Sequence, residues 1–257
     1  MTLDKNHLNN HMGELRYRFS KSMTRGADMW KVLVKSSALA ICSTVFAIPY
    51  FHHLIFLAPI TTPLPLSLGL RGFLFMELFL LFILCLLSAV VGFSFSERRE
   101  LPGFGDKTRF IRSIPLLLLL GAVMTALSYF LFDRFFFMLS LASYPKNLLY
   151  LVSFPLKAAF TEEVVLRFCL VTIMVGIFRS KMAGVVLASA VAAIFTLKYF
   201  QFVGISLHLN YIIVTQLLLS FSANLILGYL FVSRGLLYSM ALNFLFGMKY
   251  AVISWAM

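Results

Sequence analysis

The chain has 257 residues, of which 61% are hydrophobic and only 12% charged, against roughly 25% charged in an ordinary soluble domain. That excludes a soluble globule. A mean hydropathy of +0.92, with apolar runs longer than the roughly 20 residues that cross a bilayer, fits an all-α, polytopic helical membrane protein. Helices are a better reading than a membrane barrel, which is built from short alternating segments, because these runs are continuously apolar. The net charge of +12 gathers in the stretch up to Lys35 and between Ser96 and Arg112. That is the distribution of cytoplasmic segments facing anionic lipid, so the partner it points to is the bilayer and not nucleic acid. Cys42, Cys85 and Cys169 lie inside apolar runs without CxxC or Cys/His spacing, and they read as small core residues.

Residues 1–31 carry Lys5, Arg16, Arg18, Lys21, Arg25 and Lys31 with no apolar h-region behind the first methionine, so they read as a basic cytoplasmic arm and not a cleavable signal. The transmembrane domain is residues 32–257. Its apolar segments are Leu33 to Pro59, Gly72 to Phe95, Ser113 to Phe132, Asn147 to Phe178, Ala183 to Val203, Asn210 to Val232 and Leu236 to Ala256, which predicts about seven transmembrane helices. Alternate connections are the basic ones: the arm, and then the 96–112 loop with Arg98, Arg99, Lys107, Arg109 and Arg112. This places the N-terminus in the cytoplasm and the C-terminus outside, in what reads as a bacterial cytoplasmic membrane. The fourth segment exceeds one upright span at 1.5 Å per residue, and Pro155 lies within it, so a break is predicted there with residues 156–178 as the working helix.

Ionisable residues inside an apolar segment are costly unless they are partnered or face a wet cavity. Phe160-Thr161-Glu162-Glu163-Val164-Val165-Leu166-Arg167 places three of them together in the fourth segment. On an α-helix Glu163 and Arg167, four apart, stack and pair, while Glu162 points about 100° away and stays available as a general base toward water. A buried ion-pair network that only locks helices is the bland alternative. Lys198, beside Tyr199, is a candidate cation for Glu162, whereas Lys157 and Lys249 are long enough to snorkel outward. His52, His53 and His208 fall at the outer interface and His7 and His11 in the arm, none of them at a catalytic spacing.

Glu162-Glu163-Val-Val-Leu-Arg167 resembles the EExxxR signature of the CAAX protease and bacteriocin-processing (Abi) family of intramembrane proteases, and the likeness covers about residues 147–257. In that family the next span carries FxxxH and the last HxxxN. Here Phe195 to Tyr199 fills the first slot, with Phe195 and Lys198 as its other notable members, and Gly228 to Asn243 resembles the run into the second. Asn243 is retained, but Tyr199 and Ser239 stand where the two histidines are expected. The resemblance implies a CAAX protease-like helical fold hydrolysing a membrane-associated peptide. It makes Glu162 the base, Glu163 and Arg167 its support, and Asn243 a polarising donor. Tyrosine and serine do not shuttle protons near neutral pH as imidazole does. Three functions therefore stay open: such an endopeptidase, a non-catalytic pseudoprotease that binds a partner membrane protein, and a transporter. No cofactor is predicted. Members of the family are discussed with and without a divalent metal, and Glu162, Glu163 and Asn243 alone make a poor zinc set.

Overall fold

A computed structural model describes residues 28–53, 69–134, 147–202, 211–249 and 251–252. Seven helices follow one another along these residues, and no strand occurs among them. Helix α1 is Asp28–His53. Helix α2 (Gly69–Ser96) ends in a 3₁₀ turn, Glu97–Arg99, and α3 (Lys107–Ser128) runs on through a π segment, Tyr129–Asp133. Helix α4 spans 148–178, α5 is Lys181–Phe202, α6 is Tyr211–Arg234 and α7 is Leu236–Gly247. Over its described residues, each apolar segment predicted above overlaps one of these helices.

Four of the helical stretches are long and apolar enough to cross a membrane: Asp28–His53, Gly72–Ser96, Lys107–Asp133 and Ile213–Arg234. Shorter apolar stretches occupy Lys181–Phe195 and Leu236–Gly247. This is the composition of an integral membrane protein. Helix α4 has the length, but Lys157, Glu162, Glu163 and Arg167 sit in its middle.

The break predicted at Pro155 does not occur. Helix α4 passes through the proline as an α-helix, Leu148–Lys157, turns into a π-helix over Ala158–Val171 and returns to α over Thr172–Phe178. Proline lacks the N–H that an i→i+4 ladder needs, and three residues later the bonding widens to i→i+5 without interrupting the axis. The proline ring also packs against a bare backbone: a Cβ on Gly247 would stand 2.8 Å from both Cα and Cβ of Pro155. That close approach draws α7 onto α4. Asn243, one turn before Gly247, is thereby carried to the level of Glu163.

Helix α4 is central. Its Val164, Phe168, Val171 and Val175 pack in one buried cluster with Leu39 and Ala40 of α1, Cys85 and Ala89 of α2, Val185 of α5, Phe231 of α6 and Met240 of α7. Phe168 is fully buried and meets Phe93 edge-on at 4.7 Å. Its ring fills the space above Gly92, where any Cβ would collide with it. In a membrane such fitted packing, and not exclusion of water, supplies helix association. A second cluster joins α3, α6 and α7 through Leu117, Met124, Leu227, Tyr238 and Leu242.

The connections after α2, α4 and α6 meet at one end of the bundle. Gly103 and Phe104 offer their carbonyls to the N–H groups of Leu236 and Leu237, at 2.9 and 3.0 Å. The first turn of α7 would otherwise leave those donors without partners. Gly235 makes the junction possible, since its φ is +107° and a Cβ there would stand 2.5 Å from Gly105 Cα. Lys181 donates to the Glu100 carbonyl at 2.9 Å, and Arg234 donates to Ser113 Oγ at 2.8 Å. Most of the basic residues in the described connections collect at this end.

Candidate functional site

The π stretch of α4 holds Glu162, Glu163 and Arg167 in the middle of the bundle, and it sends the two adjacent carboxylates into different surroundings. Glu163 is sealed: its side chain has 0% exposure and that of Arg167 has 3%. Arg167 Nη1 lies 3.4 Å from Glu163 Oε1, so the pairing expected from the four-residue spacing is present. Asn243 Nδ2 donates to the same Oε1 at 2.8 Å and to the Ala158 carbonyl at 3.2 Å. Ser239, fully buried one turn earlier on α7, donates to the Leu236 carbonyl at 3.0 Å and lies beside the Glu163 carboxylate. The second oxygen, Glu163 Oε2, is buried and carries no hydrogen bond among the described residues.

Asn224 of α6 completes this network, although it is not among the ionisable residues that mark the site in the sequence. Arg167 Nη2 donates to Asn224 Oδ1 at 2.6 Å, and Asn224 Nδ2 in turn donates to the Ser220 carbonyl at 2.6 Å. That second bond fixes which end of the amide faces the guanidinium. Three helices, α4, α6 and α7, are thus joined through charge-assisted hydrogen bonds, which are stronger than neutral ones. An amide in the middle of an apolar run, as in Phe221-Ser222-Ala223-Asn224-Leu225, was the available signal.

Glu162 turns the other way. Its side chain is 41% exposed, and Lys157 Nζ stands 2.7 Å from its Oε1. The cation beside Glu162 is thus Lys157, whose expected outward snorkelling is corrected. The five-residue separation explains the difference: on an α-helix positions five apart diverge, whereas an i→i+5 turn brings them onto one face. Lys157 is 19% exposed and lies over the Tyr50 ring of α1, 4.7 Å from its centroid. Tyr50 itself packs edge-on against Phe154 at 4.9 Å. Helix α1 hence takes part in the site, a contribution with no signal in the sequence.

The remaining candidates divide. Phe195 is exposed on α5. Lys198 and Tyr199 belong to α5, but their side chains lie outside the described residues, as do His7, His11 and His208. His52 Nδ1 lies 2.9 Å from the Tyr150 hydroxyl, at the far end of α1. Lys249, predicted to snorkel, is instead buried: Nζ contacts both Asp133 carboxylate oxygens at 3.1 Å and Ser128 Oγ at 2.7 Å. Asp133 closes the π end of α3, so this second buried ion pair ties the chain just after α7 to α3.

Among the described residues no group of three or more His, Cys, Asp or Glu side chains is placed to hold a metal ion. The Oε1 atoms of both glutamates face cationic side chains, the positions from which a divalent ion would draw its ligands. Comparison of the chain with protein-family models, with curated proteins and with solved structures returns no match.

Chemically, the arrangement separates two jobs. The Glu163 carboxylate is neutralised, hydrogen-bonded and enclosed, which suits support. Glu162 is 41% exposed, is paired with the Lys157 ammonium, and is the carboxylate open to a reactant from outside the helix.

Proposed function

We propose that the chain is a CAAX protease-like intramembrane endopeptidase that hydrolyses a membrane-associated peptide, with Glu162 taking a proton from the attacking water. The observation that carries this reading is the divergence of the two neighbouring carboxylates: Glu163 has 0% side-chain exposure and Glu162 has 41%. Paired titratable groups in contrasting surroundings are how one site divides acid–base work from support. Arg167, Asn224 and Asn243 serve as positioning groups, because their hydrogen bonds go to Glu163, Ala158 and one another. Asn243 therefore supports the site in this arrangement and does not polarise a substrate carbonyl.

All seven helices cross the bilayer in this proposal. The N-terminal arm is cytoplasmic and the C-terminus outside, in a bacterial cytoplasmic membrane. The gathering of Arg98, Arg99, Arg109, Arg179, Lys181 and Arg234 in connections that meet at one end supports that orientation. The reaction needs no cofactor beyond water, and a divalent ion would have to displace Lys157 from Glu162.

A non-catalytic membrane scaffold is the second reading, favoured by the same 2.7 Å contact of Lys157 with Glu162 and by Tyr199 and Ser239 in place of imidazoles. The unbroken course of α4 through Pro155 withholds the support that paired broken helices would give a transporter. Comparing protein N-termini in membranes from cells carrying the wild-type chain and Glu162→Gln tests the proposal. New termini that vanish in the variant are the expected result. Identical termini at equal levels of the two folded proteins would contradict it and leave the scaffold standing.

A further inference from the structure

We infer that Lys157 is the proton donor to the leaving nitrogen in the hydrolysis proposed above, so that Glu162 and Lys157 form a carboxylate–ammonium dyad where imidazole is missing. The assignment rests on that reading and adds the acid that it lacks. Peptide hydrolysis moves two protons, one away from water and one onto the departing amine. A lone carboxylate in an apolar surrounding is poorly placed to deliver the second. Neither residue at the two expected histidine positions, Tyr199 and Ser239, is an imidazole, and Ser239 donates to the Leu236 carbonyl.

Lys157 has the required placement. Nζ is 2.7 Å from Glu162 Oε1, and both groups project from one face of α4 because the π bonding aligns residues five apart. Its stem is mostly enclosed and its ammonium rests on the Tyr50 ring, which is itself wedged against Phe154. This holds the donor in position beside Glu162. An ammonium also differs from a guanidinium in the property that matters: lysine can release and regain a proton, whereas arginine keeps its own.

The step balances within the dyad. The water oxygen forms a bond to the peptide carbonyl carbon as Glu162 takes one water proton, and the carbonyl π pair moves onto oxygen. The oxyanion pair then re-forms the carbonyl as the carbon–nitrogen bond breaks with its electron pair on nitrogen, which accepts a proton from the Lys157 ammonium. The resulting amine recovers a proton from the Glu162 carboxyl across their contact. One water is consumed, a carboxylic acid and an amine are released, and both side chains return to their starting states.

Lys157→Arg separates this role from simple charge neutralisation, because it preserves the cation and the ion pair. In isolated membranes the Glu162-dependent termini are expected to fall by about 10²-fold or more, with the melting temperature of the detergent-purified variant close to that of wild type. Wild-type cleavage by Lys157→Arg would overturn the assignment while leaving Glu162 as the base. Absence of any Glu162-dependent termini in wild type would overturn both. Should Lys157→Arg fold poorly, Lys157→Ala decides: propylamine added to the membranes restores cleavage and propylguanidine does not. Equal rescue by the two, or rescue by neither in a folded Lys157→Ala protein, contradicts proton donation.

Discussion

Arg167→Ala destabilises the detergent-solubilised protein by about 3–5 kcal/mol, the cost of leaving a buried charge without its partner, whereas Glu162→Gln changes stability by about 1 kcal/mol or less. The asymmetry follows from enclosure. Glu163 has no exposed side-chain surface, and one of its oxygens already lacks a hydrogen bond among the described residues. Removing the guanidinium leaves that carboxylate with Asn243 as its main donor and also strips the partner from Asn224 Oδ1. Introducing Glu163→Gln into Arg167→Ala recovers part of the loss, because the charge that had no partner disappears. Thermal unfolding of the four proteins measures the effect, and equal shifts for Arg167→Ala and Glu162→Gln would contradict the assigned pairing.

The second large effect is expected at the other end of α7. Lys249→Met leaves the Asp133 carboxylate buried with Ser128 as its remaining described side-chain partner, and Asp133→Leu leaves the Lys249 ammonium without that carboxylate, beside Ser128 Oγ at 2.7 Å and the Phe246 ring at 4.7 Å from its centroid. Each single change destabilises by about 3–5 kcal/mol, while the double variant Asp133→Leu/Lys249→Met loses much less than the sum, since an apolar pair of similar volume has no charge to desolvate. Melting of all four combinations provides the coupling. Additive losses would show that the two side chains do not act as a pair. Asn243 lies between this tether and the Gly247 contact with Pro155 on one side and the Gly235 junction on the other, so the register of α7 against α4 is fixed from both directions.

What the sequence made legible was whatever depended on local spacing. The apolar runs delimit the helices because each must bury or expose a continuous apolar surface, and Glu163 with Arg167 was readable from a four-residue repeat. Lys157 with Glu162 was not, because the repeat there is five and an α-helical wheel separates them. Pro155 was misread for a related reason: proline removes a hydrogen bond, which suggests a break when the alternative of a widened helix is not considered. Lys249 and Asp133 lie 116 residues apart. Asp133 falls just beyond the apolar segment ending at Phe132, where a carboxylate reads as interfacial. Asn224 needed only the recognition that an amide deep in an apolar run wants a partner. The functional resemblance rested on short motifs, and the geometry now gives Glu162, Glu163, Arg167 and Asn243 distinct surroundings from which roles can be argued.

That two adjacent glutamates do different work is tested most directly by their reactivity toward a membrane-permeant carbodiimide in lipid nanodiscs. The reagent activates a reachable carboxyl, and an amine 2.7 Å away captures it as an amide. The expected product is a Glu162–Lys157 cross-link, absent in Glu162→Gln, with Glu163 unmodified after tryptic mapping. Modification of Glu163 as fast as Glu162, or a Glu162 that resists the reagent and never joins Lys157, would contradict the division between a working carboxylate and a sealed one.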